Sequence, residues 1–116
     1  MEEGDCIFCK IATGAIPSNK VYEDDQVLAF DDIQPMAPVH VIVIPKKHIP
    51  TLMDLSSADA ATVMAMTFAA QEVARRKGIA KPGFRAVVNC NPDGGQVIFH
   101  LHLHVLGGQR LNDQLG

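Results

Sequence analysis

The sequence predicts an α+β fold: a five-stranded antiparallel sheet with one long and one short helix, in a single domain spanning residues 1–116. Three observations carry that expectation. Short apolar runs of strand length recur between turn residues, one alanine-rich segment is long enough for several helical turns, and a pair of cysteines three residues apart sits where a short helix fits.

Taken in order, Asp5 is placed to cap a short helix over Cys6–Thr13, which Gly14 and then Pro17 would close. "KVYEDDQVLAFDD" reads as two strands turning at Asp24-Asp25, and "VHVIVIP" as a strand that stops at Pro45. Ser56 with Asp59 three residues on matches a capping box, opening a helix that runs to Lys77 and ends at Gly78. "FRAVVN" is a fourth strand. "NPDGG" is a loop, and the fifth strand, "FHLHLHVLGG", follows it.

Composition narrows the function classes. With 47% hydrophobic and 20% charged residues the chain is an ordinary globular one, and a net charge of −3 argues against a nucleic-acid partner. A small anionic ligand stays open, because backbone N–H groups bind phosphate without net positive charge. No secretory signal or membrane span is expected, and three cysteines without a disulfide pattern suit a reduced, cytoplasmic compartment.

The fifth strand concentrates the chemistry. Successive strand residues point to opposite faces, so His100, His102 and His104 would line one face about 6.6 Å apart, with Leu101, Leu103 and Val105 in the core. A neutral imidazole has a lone pair and attacks without deprotonation, provided a hydrogen bond at its other nitrogen holds one tautomer. Flanking histidines can supply protons, and the glycines of "NPDGGQ" let backbone approach a phosphate closely. Phosphorus chemistry through a phosphohistidine-type intermediate is therefore coherent. Cys6 and Cys9 would present two sulfurs on one side of a helix. Zinc wants four ligands, and the histidine pool for it is His40, His48, His100, His102 and His104. Simple burial of two small thiols is the plainer alternative.

The long helix carries a further signal. Ala61, Val63, Met64, Ala65, Met66, Phe68, Ala69, Ala70 and Val73 leave it almost no polar face. One face would cover the sheet, and Met66 and Phe68 favour a homodimer built partly on Ala58–Ala74.

Together these residues resemble the histidine triad (HIT) superfamily, particularly its Hint branch of nucleoside phosphoramidases. The resemblance runs through "CIFCKIATGAIPS", "VYEDDQVLAFDDIQPMAPVHVIVIPKKHI" and "VVNCNPDGGQVIFHLHLHVLGG", nearly the whole chain. It implies that His102 attacks the α-phosphate of a nucleotide, forming a nucleotidyl-histidine that water hydrolyses. It implies that His104 contacts phosphate and assists proton transfer, and that His40 supports the nucleophile by hydrogen bonding. Asp32 matches the acid that binds ribose hydroxyls. Ile7, Phe8, Ile11, Phe30, Asp31, Ile33 and Ile42 match the nucleoside pocket, and Asn89, Gly95 and Gln96 the phosphate side. Zinc-bearing relatives would assign one structural Zn²⁺ per chain to Cys6, Cys9, His48 and His100. Pairing through a helix and an edge strand would continue the sheet across a homodimer.

Two positions depart from the pattern. Val97 stands where many relatives carry a polar side chain near the phosphate, and "QRLNDQLG" lacks the aromatic residue some Hint enzymes place near the partner's site. Cys90 has no implied role beyond a small loop residue or a reactive thiol. The leading function is hydrolysis of purine nucleoside 5′-phosphoramidates or acyl-adenylates. Alternatives are a dinucleoside polyphosphate hydrolase, a nucleotide-binding regulatory module, and a zinc hydrolase whose metal-bound water attacks.

Overall fold

The computed structural model describes residues 3–114, so the expected domain of 1–116 reaches two residues beyond it at each end. Five antiparallel strands form the sheet: β1 (Lys20–Glu23), β2 (Val27–Asp31), β3 (Val39–Pro45), β4 (Arg85–Val87) and β5 (Leu103–Gly107). Their spatial order is β1-β2-β3-β5-β4. The helices are α1 (Ile7–Ala12) and α2 (Ala60–Arg76).

Local chemistry explains each boundary. The Asp24 carboxylate accepts the amides of Gln26 and Val27, which makes the β1–β2 turn where the two acidic residues predict it. The Ser56–Asp59 capping box is present, but it opens a 3-10 turn over Ser57–Asp59, and α2 begins at Ala60. Gly78, at φ +72°, follows the Lys77 cap and ends α2 in the left-handed conformation that glycine adopts without strain. At the other end of the chain Cys6, not Asp5, caps α1: its Sγ accepts the Cys9 amide at 3.3 Å, while Asp5 lies in a preceding 3-10 turn.

Two strands are shorter than the sequence suggests, for one reason. Val43 pairs with Leu103, so the next ladder step would set Leu101 opposite Pro45. Proline has no N–H to donate, and the ladder stops. His100 and His102 therefore precede β5, and only His104 of the triad lies on the strand. β4 ends at Val87, opposite His104; two residues on, Asn89 would face His102, which precedes β5. At its far end β5 needs Gly108, whose φ is +90° and where a Cβ would stand 2.9 Å from Pro38.

The sheet buries both faces of its central strands. Met66, Ala69, Ala70, Val73 and Ala74 of α2, at helical spacing, pack on Val27, Ala29, Val41, Val43 and Val105. Burying Val73 there contributes about 1.5–3 kcal/mol. Met66 thus belongs to the chain's own core, which leaves Phe68, of the two residues that favour a homodimer, at the surface. Val63, Met64 and Phe68 are the large apolar residues α2 leaves exposed, Phe68 by 56%. On the opposite face α1 lays Phe8 and Ile11 over Leu28, Phe30, Ile42 and Ile44. This face carries the histidines. No helix among the described residues is long and apolar enough to cross a membrane.

Candidate active site

Two groups of side chains meet beside α1, and hydrogen-bond logic gives each a different chemistry. His100 Nε2 lies 2.7 Å from the Pro45 carbonyl. A carbonyl only accepts, so Nε2 carries the hydrogen and Nδ1 presents a lone pair. That Nδ1 is 3.3 Å from Cys6 Sγ, 3.4 Å from Cys9 Sγ and 3.3 Å from His48 Nδ1, and Cys9 Sγ is 3.2 Å from His48 Nδ1. A tetrahedral zinc site with bonds of about 2.0–2.3 Å has edges of roughly 3.3–3.8 Å. The spacing, the two soft sulfurs and the burial of Cys6 and His100 fit such an ion. The Cys9 amide donates to Cys6 Sγ at 3.3 Å and fixes the position of that sulfur.

A second group, Asp32, His40 and His104, is as close-set but fails the same test. The Met36 amide donates to His40 Nδ1 at 3.0 Å. His40 must then carry its hydrogen on Nε2, which leaves no lone pair for a metal. Instead Nε2–H donates to His104 Nδ1 at 2.9 Å. His104 in its neutral form therefore bears its hydrogen on Nε2. Asp32 Oδ2 stands 3.5 Å from His40 Nε2, while Oδ1 accepts the Gln34 amide.

His102 lies between the groups. Its Nδ1–H donates to the His100 carbonyl at 2.7 Å, leaving the Nε2 lone pair unprotonated. The Phe8 ring meets it edge-on at 5.1 Å and the His104 ring at 4.9 Å. Burial holds His102 below the ordinary histidine range, opposed by the bond to the His100 carbonyl and the charge of Asp32. His104 is pushed down to about 4, chiefly by burial and then by its neighbours His102 and His40, with Asp32 opposing. Burial lowers His40 too, again against Asp32. Three neutral imidazoles at neutral pH include one with an available lone pair, which is a nucleophile's requirement.

The remaining expected residues divide. Phe8, Ile11, Phe30 and Ile42 form an apolar floor beside His102, with Ile7 exposed at its rim. Asp31 does not join them: strand alternation turns its side chain to the α2 side, where it pairs with Lys77 at 2.9 Å. Ile33 and Val97 are 92% and 82% exposed. Asn89 Nδ2 donates to the Gly94 carbonyl, and a Cβ at Gly95 would touch that same nitrogen at 3.8 Å. Gln96 is buried with its side chain engaged: Oε1 accepts the Asn91 amide, and Nε2 donates to the Pro50 and Ile98 carbonyls. These bonds tie the loop before β5 to the segment at Pro50. His40 supports His104, not His102 directly. Cys90 is half-buried and belongs to neither group. Unforeseen were the Met36 amide and the Pro45 carbonyl, backbone groups that no residue-type pattern announces.

Comparison with known proteins agrees with this geometry. The model of the HIT domain family matches residues 13–111. A purine nucleoside phosphoramidase of Escherichia coli is 44% identical over 109 residues, 94% of this chain and 92% of that protein. The crystal structure of a HIT family hydrolase from Legionella pneumophila superposes with a TM-score of 0.94 at 44% identity, covering 97% of this chain and all of that one. A histidine triad protein from Clostridium difficile gives 0.93 at 49% identity, covering 98% and 99%. From the matched residues and the shared fold, the chain belongs to the HIT domain family.

Proposed function

We propose that the chain hydrolyses purine nucleoside 5′-phosphoramidates through a nucleotidyl-histidine on His102. The observation that carries this reading is the 2.7 Å bond from His102 Nδ1–H to the His100 carbonyl, which leaves Nε2 ready to attack phosphorus. The E. coli relative named purine nucleoside phosphoramidase supports the substrate class.

The steps follow from the tautomers. The nucleoside rests on Phe8, Ile11, Phe30 and Ile42, with Asp32 accepting from ribose hydroxyls. An anionic phosphate against His104 favours its protonated form, reversing the effect of burial. The His102 Nε2 lone pair forms a bond to phosphorus as the P–N bond breaks, and the leaving nitrogen takes a proton from His104. Water then attacks phosphorus, returns a proton to His104, and releases nucleotide with His102 neutral. His40 Nε2–H orients His104 while His104 is neutral; protonation puts a hydrogen on His104 Nδ1, and that bond opens while the proton is carried. Acyl-adenylates meet the same groups.

Cys6, Cys9, His48 and His100 would hold one zinc ion. It would supply a structural cross-link between α1 and the segment entering β5. A second copy of the chain would cover the exposed Val63, Met64 and Phe68 of α2, with the free edge of β4 continuing the sheet.

The test is turnover of adenosine 5′-phosphoramidate against a dinucleoside polyphosphate. The reading expects the phosphoramidate to be hydrolysed with the higher kcat/KM. Faster cleavage of the polyphosphate would replace it.

A further inference from the structure

α1 covers only the β2–β3 side of the histidine face. Over β4 and β5 that face stays open, bordered by residues 109–114, and encloses a cavity of about 570 Å³. His40 and His104 form part of its wall, so the cavity adjoins the reacting groups. Arg85, Asn89, Arg110 and Asn112 supply polar wall, and among the described residues no Asp or Glu lines it. Two of its wall residues, Arg85 and Arg110, are cationic in a chain of net charge −3.

The register places Arg85 with respect to the chemistry. Val87 pairs with His104 and Arg85 with Leu106, so Arg85 is the diagonal cross-strand neighbour of His104. Such neighbours lie about 7–8 Å apart. One guanidinium nitrogen of Arg85 donates to the Asn112 carbonyl, which steadies the side chain while other N–H groups of the fork remain. Arg110 makes a loose, exposed contact with Asp113 at 3.5 Å.

We propose that this cavity is the leaving-group subsite and that Arg85, with Arg110, selects amines bearing a carboxylate a few bonds from the leaving nitrogen, as in an N-linked amino acid. The inference rests on the phosphoramidase reading above. A nitrogen protonated by His104 sits at the cavity wall, and a carboxylate on the adjoining carbons points along the diagonal to Arg85. A planar guanidinium binds a carboxylate through two parallel hydrogen bonds, which an amide cannot reproduce.

The experiment compares kcat/KM for two adenosine 5′-phosphoramidates that differ only in charge, one N-linked to glycine and one to glycinamide. The unsubstituted phosphoramidate runs alongside. The wild-type protein is expected to prefer the carboxylate about tenfold or more. Arg85→Gln should bring the ratio to within about twofold of unity, and Arg85→Lys should keep an intermediate preference. Because the ratio is internal to each variant, a loss of folded protein cancels from it. Equal rates on the two substrates in the wild type overturn the inference alone, as does a ratio that survives Arg85→Gln. Absence of turnover on all three phosphoramidates overturns the underlying reading and this inference with it.

Discussion

The side-chain carbonyl of Gln96 accepts the backbone amide of Asn91 across 2.8 Å, and Asn91 holds φ +63° with ψ 173°. That backbone region is nearly exclusive to glycine and costs on the order of 1–3 kcal/mol for other residues. The Asn91 carbonyl accepts from both Gly94 and Gln96, so the whole loop before β5 is tied around this residue. Gln96→Leu would strip partners from the Asn91 amide and from the Pro50 and Ile98 carbonyls. The expected loss is about 2–4 kcal/mol, measured by urea denaturation. A variant as stable as the wild type would show that Gln96 does not hold the loop.

Metal content separates the two clusters. The tautomer of His40, set by the Met36 amide, predicts one zinc per chain rather than two. Cys6→Ser should lose the ion and about 2–3 kcal/mol of stability, a fall in Tm of roughly 10 °C for a domain near this size. Elemental analysis at saturation checks the count. Two ions per chain would contradict the tautomer argument, and full zinc content in Cys6→Ser would contradict the ligand set.

Acid should destabilise the protein through its buried imidazoles. His104 titrates at about 4 in the fold against about 6.5 in an unfolded chain, and His40 and His102 are displaced the same way. Between those values the unfolded chain binds more protons, so stability rises with pH and is lost as pH falls from about 6.5 towards 4. Denaturation midpoints of the zinc-loaded protein at pH 7 and pH 5 measure this. His104→Gln should reduce the slope, and an unchanged slope would remove His104 from the account.

The exposed face of α2 gives a contrast between two neighbours. Phe68→Glu should shift sedimentation from dimer to monomer while the circular dichroism of the fold remains. Met66→Glu should unfold the chain, because it buries an unpaired charge in the core. A wild-type protein that sediments as a monomer at micromolar concentration would refute the dimer.

These outcomes also show what the residues announce in advance. The alternation of His102 and His104, the Cys6–Cys9 spacing and the Ser56–Asp59 box are legible because residue type and spacing alone define them. The end of β5 at Leu103 is not, since it depends on which residue of β3 stands opposite, and that residue is Pro45. The α2 segment is apolar on nearly every face, so no periodicity separates Met66 in the core from Phe68 at the surface. Asp31 and Asp32 are adjacent acids of one type. The period of two along β2 is the signal that sends Asp31 towards Lys77, and it was available in "VLAFDD". The Met36 amide is silent in any sequence, yet it sets the tautomers of His40 and His104.

The central claim is that His102 Nε2 bonds to phosphorus. Mixing the protein with adenosine 5′-phosphoramidate, quenching in the steady state and recording the intact mass tests it most directly. The account predicts an added adenylyl group that maps to His102, disappears as substrate is exhausted, and is absent in His102→Ala, which should also lose turnover. Turnover near the wild-type rate in His102→Ala, or an adduct mapping to another residue, would contradict it.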